Sequence, residues 1–159
     1  MAERSVAHHT IVIQRRYSAS PERVFNAFSD PNKMRRWFAE GKGTALEDFS
    51  SDFRVGGNAV WRFRFTPGTP FPEGTPLTNN TYYLDIVPNE RIVFAYTMAI
   101  GASRISSSQA TVELLPSSEG GTELVFTDQA AFFEGGDTPE IREAGWRELL
   151  ESLARYLAQ

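Results

Sequence analysis

An α+β fold is expected for this chain: a curved antiparallel sheet of seven strands wrapped around a long C-terminal helix, with two short helices between the first and second strands. Three observations predict it. Residues 139–157 repeat Trp146, Leu149, Leu150, Leu153 and Leu157 at helical spacing, so a helix about 28 Å long has one apolar stripe to bury. Two alternating runs, Ile105–Leu115 and Thr122–Gln129, lead straight into that helix, and alternation marks half-buried strands. Finally, Ser20-Pro21 and Asp30-Pro31 follow the first alternating run. A hydroxyl or carboxylate cap before proline is a helix-start signal.

Each element follows in order. Thr10–Ser18 alternates Ile11, Ile13 and Arg15 with Val12, Gln14 and Arg16, which predicts a strand. Ser20-Pro21-Glu22 opens a short helix with Val24, Phe25 and Phe28 as its apolar face, and Asp30-Pro31 opens a second one running to Trp37-Phe38. This tandem is expected to act as a lid rather than as core. Gly43–Phe53 is a weak strand closed by Gly56-Gly57, and Asn58–Thr66 a clear one, with Trp61, Phe63 and Phe65 opposite Arg62 and Arg64. The Pro- and Gly-rich stretch 67–76 is a loop over the mouth of any cavity. Thr81–Val87 is expected to turn Tyr82, Leu84 and Ile86 inward, with Tyr83 and Asp85 outward, and Arg91–Ile100 to align Ile92, Phe94, Tyr96 and Met98. In Ile105–Leu115, the inward Ala110, Val112 and Leu114 bring Ser106 and Ser108 to the same side; in Thr122–Gln129 the inward set is Leu124, Phe126 and Asp128. On the last helix, Glu143, Arg147, Glu151 and Arg155 are spaced to pair along the solvent face.

At 159 residues the chain suits one domain, assigned to 10–159 after an N-terminal tail of 1–9. Hydrophobic residues make up 41% and charged residues 23%, ordinary for a globular protein, whereas twelve Phe bring the aromatic content to 13%. Net charge is −4, and the basic pairs Arg15-Arg16 and Arg35-Arg36 are isolated, so no stripe exists to neutralise a nucleic-acid backbone. Without cysteine there is no disulfide, thiolate nucleophile or thiolate metal site. His8 and His9 are neighbours on a strand and point to opposite faces, which argues against a shared metal. No cofactor is indicated. No apolar run approaches the roughly 20 residues of a membrane span, and Met1–Ser5 lacks the apolar stretch of a signal peptide, so a cytoplasmic location is expected.

Several motifs occur in a telling order: Ser-Pro-Glu-Arg-Val-Phe at 20–25, Asp30-Pro31 with Trp37-Phe38, Asp52-Phe53-Arg54-Val55-Gly56-Gly57, the run 85–94, Gly120-Gly121-Thr122 and Gly145-Trp146. Over residues 9–157 the chain resembles the bacterial SRPBCC (START-like) proteins similar to the activator of the heat-shock-protein ATPase, relatives of polyketide cyclases and the birch-pollen allergen. Thr127-Asp128-Gln129, Phe132-Phe133 and Arg142-Glu143 resemble one subgroup. The resemblance implies a helix-grip fold and a deep pocket between sheet and terminal helix for hydrophobic or amphipathic small molecules. It does not imply a reaction.

The candidate site follows from the inward faces. Trp37, Trp61, Phe63, Phe65, Tyr82, Phe94, Tyr96, Phe126, Trp146 and Leu150 are the candidate walls, with packed core as the plainer reading. Phe38 belongs to the same aromatic set. Ser106 and Ser108 either orient a ligand carbonyl or hydroxyl or are small hydrogen-bonded fillers. Asp128 is the candidate acid or base, because a desolvated carboxylate has a raised pKa; a wet strand end is the alternative. Arg54 either anchors an anion or pairs with Asp52 or Glu47.

Three functions compete. The first is binding of a small hydrophobic or aromatic molecule. The second is a cyclase, dehydratase or hydrolase using Asp128, with Ser106, Ser108, Tyr82 or Tyr96 polarising a carbonyl. The third is a co-chaperone-like contact with a heat-shock ATPase through the outer sheet face or the 66–76 loop. Edge-strand homodimerisation is compatible with all three.

Overall fold

The computed structural model of the protein describes residues 5–39 and 41–159. Strand β1 (Ala7–Tyr17) is followed by helices α1 (Pro21–Ser29) and α2 (Pro31–Phe38). Strands β2 (Thr44–Ser51), β3 (Asn58–Phe65), β4 (Pro76–Val87), β5 (Arg91–Ile100), β6 (Ser103–Pro116) and β7 (Thr122–Phe132) come next, then helix α3 (Pro139–Leu157). Of the expected tail, the first four residues lie outside the described residues, and His8 and His9 belong to β1.

Each helix starts where its cap permits. The Ser20 hydroxyl accepts from the Arg23 amide at 3.2 Å, Asp30 Oδ1 from the Asn32 amide at 2.9 Å, and the Thr138 hydroxyl from the Ile141 amide at 3.2 Å. Each cap satisfies an amide that the helix itself leaves without a partner, a contribution of about 1 kcal/mol.

The sheet runs β1-β7-β6-β5-β4-β3-β2, antiparallel throughout. The last strand therefore pairs with the first, Ile13 standing opposite Phe126, while α1 and α2 carry the chain from one sheet edge to the other. The inner face supplies Ile11, Ile13, Ile92, Val112, Leu124 and Phe126 to a core shared with Trp146, Leu150, Leu153 and Leu157 of α3. Among the described residues this is a seven-stranded curved antiparallel sheet closed on a long terminal helix, the helix-grip fold. No described helix is long and apolar enough to cross a membrane.

Two expectations require correction. First, α1 and α2 are core rather than lid: Val24, Ala27, Phe28 and Trp37 are buried. The Trp37 indole donates to the Ala27 carbonyl at 2.9 Å, and its own carbonyl accepts from Ser152 of α3 at 2.7 Å. Second, Tyr82 is 51% exposed on the outer face and Tyr83 is 4% exposed on the inner one. The cause is a bulge at Leu84, an extra residue between the pairs Tyr83–Phe94 and Asp85–Val93. A bulge shifts the inside–outside alternation by one position. Counting back from Ile86, which packs on the core, therefore assigns Tyr82 and Leu84 to the wrong face.

Apart from the ion pairs of Arg142, charged pairs lie toward the outside. Arg54 pairs with Asp52 at 2.8 Å, Arg62 with Asp48 at 3.4 Å, and Arg64 with Glu47. On α3, Arg147 pairs with Glu143 at 3.1 Å, while Glu151 reaches Arg15 of β1 at 3.4 Å. Such exposed pairs contribute little to stability.

Candidate functional site

A cavity of about 350 Å³ lies between the inner face of β3–β6 and the first half of α3. Phe63 and Phe65 of β3, Leu77 of β4, Met98 and Ile100 of β5, and Ile105 of β6 form the sheet side. Ile141, Trp146 and Leu149 form the helix side, with Phe38 of α2 and Phe71 of the 67–75 loop closing the ends. Ile105 reaches this wall through a second bulge: it is the extra residue between the pairs Met98–Ser106 and Ala99–Arg104, so that Ile105 and Ser106 are both buried.

One wall is polar, and it is built around Tyr96 and Arg142. The Tyr96 hydroxyl donates to Asp128 Oδ2 at 2.6 Å and accepts from Arg142 Nη1 and the Trp146 indole, each at 3.0 Å. Arg142 directs its remaining donors to Ser108 (3.1 Å), Ser106 (2.6 Å) and Asp137 Oδ2, which takes one from Nε at 3.0 Å and one from Nη2 at 2.6 Å. A guanidinium has five N–H groups, and all five are engaged. Its plane also lies over the rings of Tyr96 and Phe132, 5.3 and 5.2 Å from their centroids. Asp137 is held in turn at the Gly135-Gly136 bend; Gly136 has φ +139°, and a Cβ there would meet the Phe71 ring at 2.8 Å.

Burial governs the electrostatics of this wall. It raises the Asp128 carboxyl above the usual carboxylate range, against the downward pull of the Tyr96 hydrogen bond and the Arg142 charge. Burial likewise raises the Tyr96 phenol. For Arg142 burial disfavours the cation, but Tyr96, Asp137 and Asp128 outweigh it and the net shift is upward. Arg142 Nη1 and Asp128 Oδ2 are 3.9 Å apart, while Asp128 Oδ1 is buried with no hydrogen-bond partner among the described residues.

The residues singled out from the sequence divide into three groups. Phe63, Phe65, Tyr96 and Trp146 line the cavity. Behind that lining, Trp61 stacks on Phe49 at 3.6 Å, Phe94, Phe126 and Leu150 pack in the core near Trp146, and Trp37 is buried between α1 and α3. Ser106 and Ser108 are occupied by Arg142, and Asp128 stands behind Tyr96 without lining the cavity. Tyr82 is the exception, being on the opposite face of the sheet. Arg142, noted only within a subgroup motif, and Asn79 were not among the candidate site residues. A signal existed for each: Arg142 is one helical turn before Trp146, on the extended apolar stripe, and Asn79 is two positions before Thr81 on the inner face of β4.

Residues 18–158 match the family described as Activator of Hsp90 ATPase homolog 1-like protein. Among solved structures, the chain is similar to the Mll3558 protein of Rhizobium loti, with 46% identity, TM-score 0.83, and coverage of 96% of this chain and 99% of that one. It is also similar to an uncharacterized protein of Rhizobium leguminosarum, with 37% identity, TM-score 0.87 and 99% coverage of both chains. A Chromobacterium violaceum protein follows at 29% identity and TM-score 0.75, with 94% and 97% covered. No curated protein matches the chain.

Proposed function

The chain belongs to the family of activator of Hsp90 ATPase homolog 1-like proteins, and we propose that it binds one small hydrophobic or aromatic molecule in the cavity between the sheet and α3, in the cytoplasm. The observation that carries this reading is the cavity's lining. Phe38, Phe63, Phe65, Met98, Ile105 and Trp146 surround about 350 Å³, within the size range of small-molecule sites. Covering roughly 300 Å² of ligand apolar surface contributes about 7 kcal/mol before the costs of ordering, which limits the affinity to micromolar at best.

Binding is preferred to acid–base chemistry because Asp128 is separated from the cavity by Tyr96, whose hydroxyl already makes three hydrogen bonds. A heat-shock ATPase contact has only the family description in its favour. The test is native mass spectrometry with 2-ethylnaphthalene, on the natural protein and on Leu77→Trp, which fills the cavity. One probe molecule bound to the first and none to the second is expected; equal binding to both would place the probe elsewhere and defeat the reading.

A further inference from the structure

The polar inventory of the cavity narrows what it accepts, given the binding function proposed above. Among the described lining residues, the buried ones with polar side-chain atoms are Asn79, Tyr96, Arg142 and Trp146. Three of them are fully engaged. The Tyr96 hydroxyl donates once and accepts twice, the Arg142 guanidinium has all five N–H groups bonded, and the Trp146 indole N–H is given to Tyr96. Asp137, beside them in the lining, takes two of those Arg142 bonds on Oδ2 and the Thr138 amide on Oδ1 at 2.8 Å. The remaining charged lining residues, Lys42 and Glu148, are exposed.

Asn79 differs. It is 6% exposed on the inner face of β4, opposite Trp61 of β3 and Met98 of β5. The Thr81 hydroxyl donates to its Oδ1 at 2.7 Å, which fixes the amide plane and leaves Nδ2 as a donor with no partner among the described residues. Nδ2 is not among the sealed side-chain atoms left without a partner, so it is reached from the cavity, and a ligand that covers it without supplying an acceptor strands the donor. A ligand acceptor placed against it avoids that penalty, whereas a carboxylate placed there finds no free buried cation to offset its desolvation, Lys42 being exposed.

We infer that the cavity selects uncharged ligands carrying one hydrogen-bond acceptor, a carbonyl or an ether or hydroxyl oxygen, and that Asn79 Nδ2 is the group that reads it. Asn79 is thus a specificity determinant, and Thr81 its positioning residue.

Three naphthalenes of matched shape test this: 2-acetonaphthone, 2-ethylnaphthalene and 2-naphthoate, titrated by isothermal calorimetry. The ketone is expected to bind about tenfold tighter than the hydrocarbon, and the carboxylate more weakly than the ketone. The variant carries Asn79→Leu with Thr81→Val, because replacing both partners of a buried hydrogen bond by apolar groups is close to neutral for stability. In it the ketone's advantage should vanish while the hydrocarbon binds at least as well as before. An advantage that survives in the double variant, or a carboxylate that binds best, overturns the assignment of Asn79 and leaves the cavity reading standing. Binding of neither the ketone nor the hydrocarbon to the natural protein overturns both.

Discussion

The Tyr96 hydroxyl donates to Asp128 Oδ2 at 2.6 Å, across neighbouring inner-face positions of β5 and β7 with β6 between them. That one contact joins the sheet's buried acid to the start of α3, because the same oxygen accepts from Arg142 and Trp146. The polar wall of the cavity is therefore a clasp between sheet and helix, and the apolar walls are what a ligand meets.

Removing the hub should loosen the clasp. Tyr96→Phe deprives Asp128 of its one side-chain hydrogen-bond donor among the described residues and leaves Arg142 and Trp146 each one acceptor short. A loss of about 3 kcal/mol in urea unfolding is expected for such a buried network. A loss below about 0.5 kcal/mol would mean that the three groups find other partners.

Arg142→Lys should behave as a disruptive change. A lysine ammonium offers three donors in place of a planar fork of five, so Ser106, Ser108, Tyr96 and Asp137 cannot all be satisfied. The expected cost is about 3 kcal/mol, read by the same denaturation. Stability equal to the natural protein would contradict the clasp.

Asp128 should give stability a definite pH dependence. Its folded pKa is raised by burial above the unfolded value of about 3.9. Between the two values the native state binds the proton more tightly than the unfolded chain. The stability from this group is therefore fully present below the unfolded pKa and declines as pH rises through the folded one. Asp128→Asn removes the titration, so the difference in unfolding free energy between the variant and the natural protein should move in the variant's favour as pH rises above about 4. A difference that stays constant from acid to neutral pH would show that the carboxyl is not raised.

The β4 bulge is open to a paired comparison. Tyr83→Ala should cost about 3 kcal/mol, because the ring is buried against Phe53 at 4.8 Å. Tyr82→Ala, on the exposed face, should stay within about 0.5 kcal/mol. Comparable losses at the two positions would contradict the register.

Most of the architecture was legible because it rests on local rules. The caps at Ser20, Asp30 and Thr138 and the apolar stripe of α3 each depend on residues a few positions apart. Alternation likewise read β3, β5 and the inward Ser106, Ser108 and Asp128 correctly. It failed at Leu84, where one inserted residue reverses the phase, and a bulge leaves no dependable mark in composition. The site was less legible for a different reason. Whether an inward aromatic lines a cavity or fills the core is a matter of what stands opposite: Trp61 is covered by Phe49 and Phe38, whereas Phe63 faces open space. Arg142 was hidden by its charge, since a helix arginine is ordinarily solvent-facing. Here five hydrogen bonds to acceptors on β5, β6 and the 133–138 segment offset its burial.

The central claim is that a small apolar molecule occupies the space between the sheet and α3, and intermolecular NOEs in solution test it most directly. With 2-acetonaphthone bound, cross-peaks are expected from the naphthalene protons to the Met98 methyl and the Trp146 ring, and from the acetyl methyl to the Asn79 side-chain amide. Cross-peaks confined to outer-face residues such as Tyr82 and Thr97, with Met98 and Trp146 unperturbed at saturation, would contradict it.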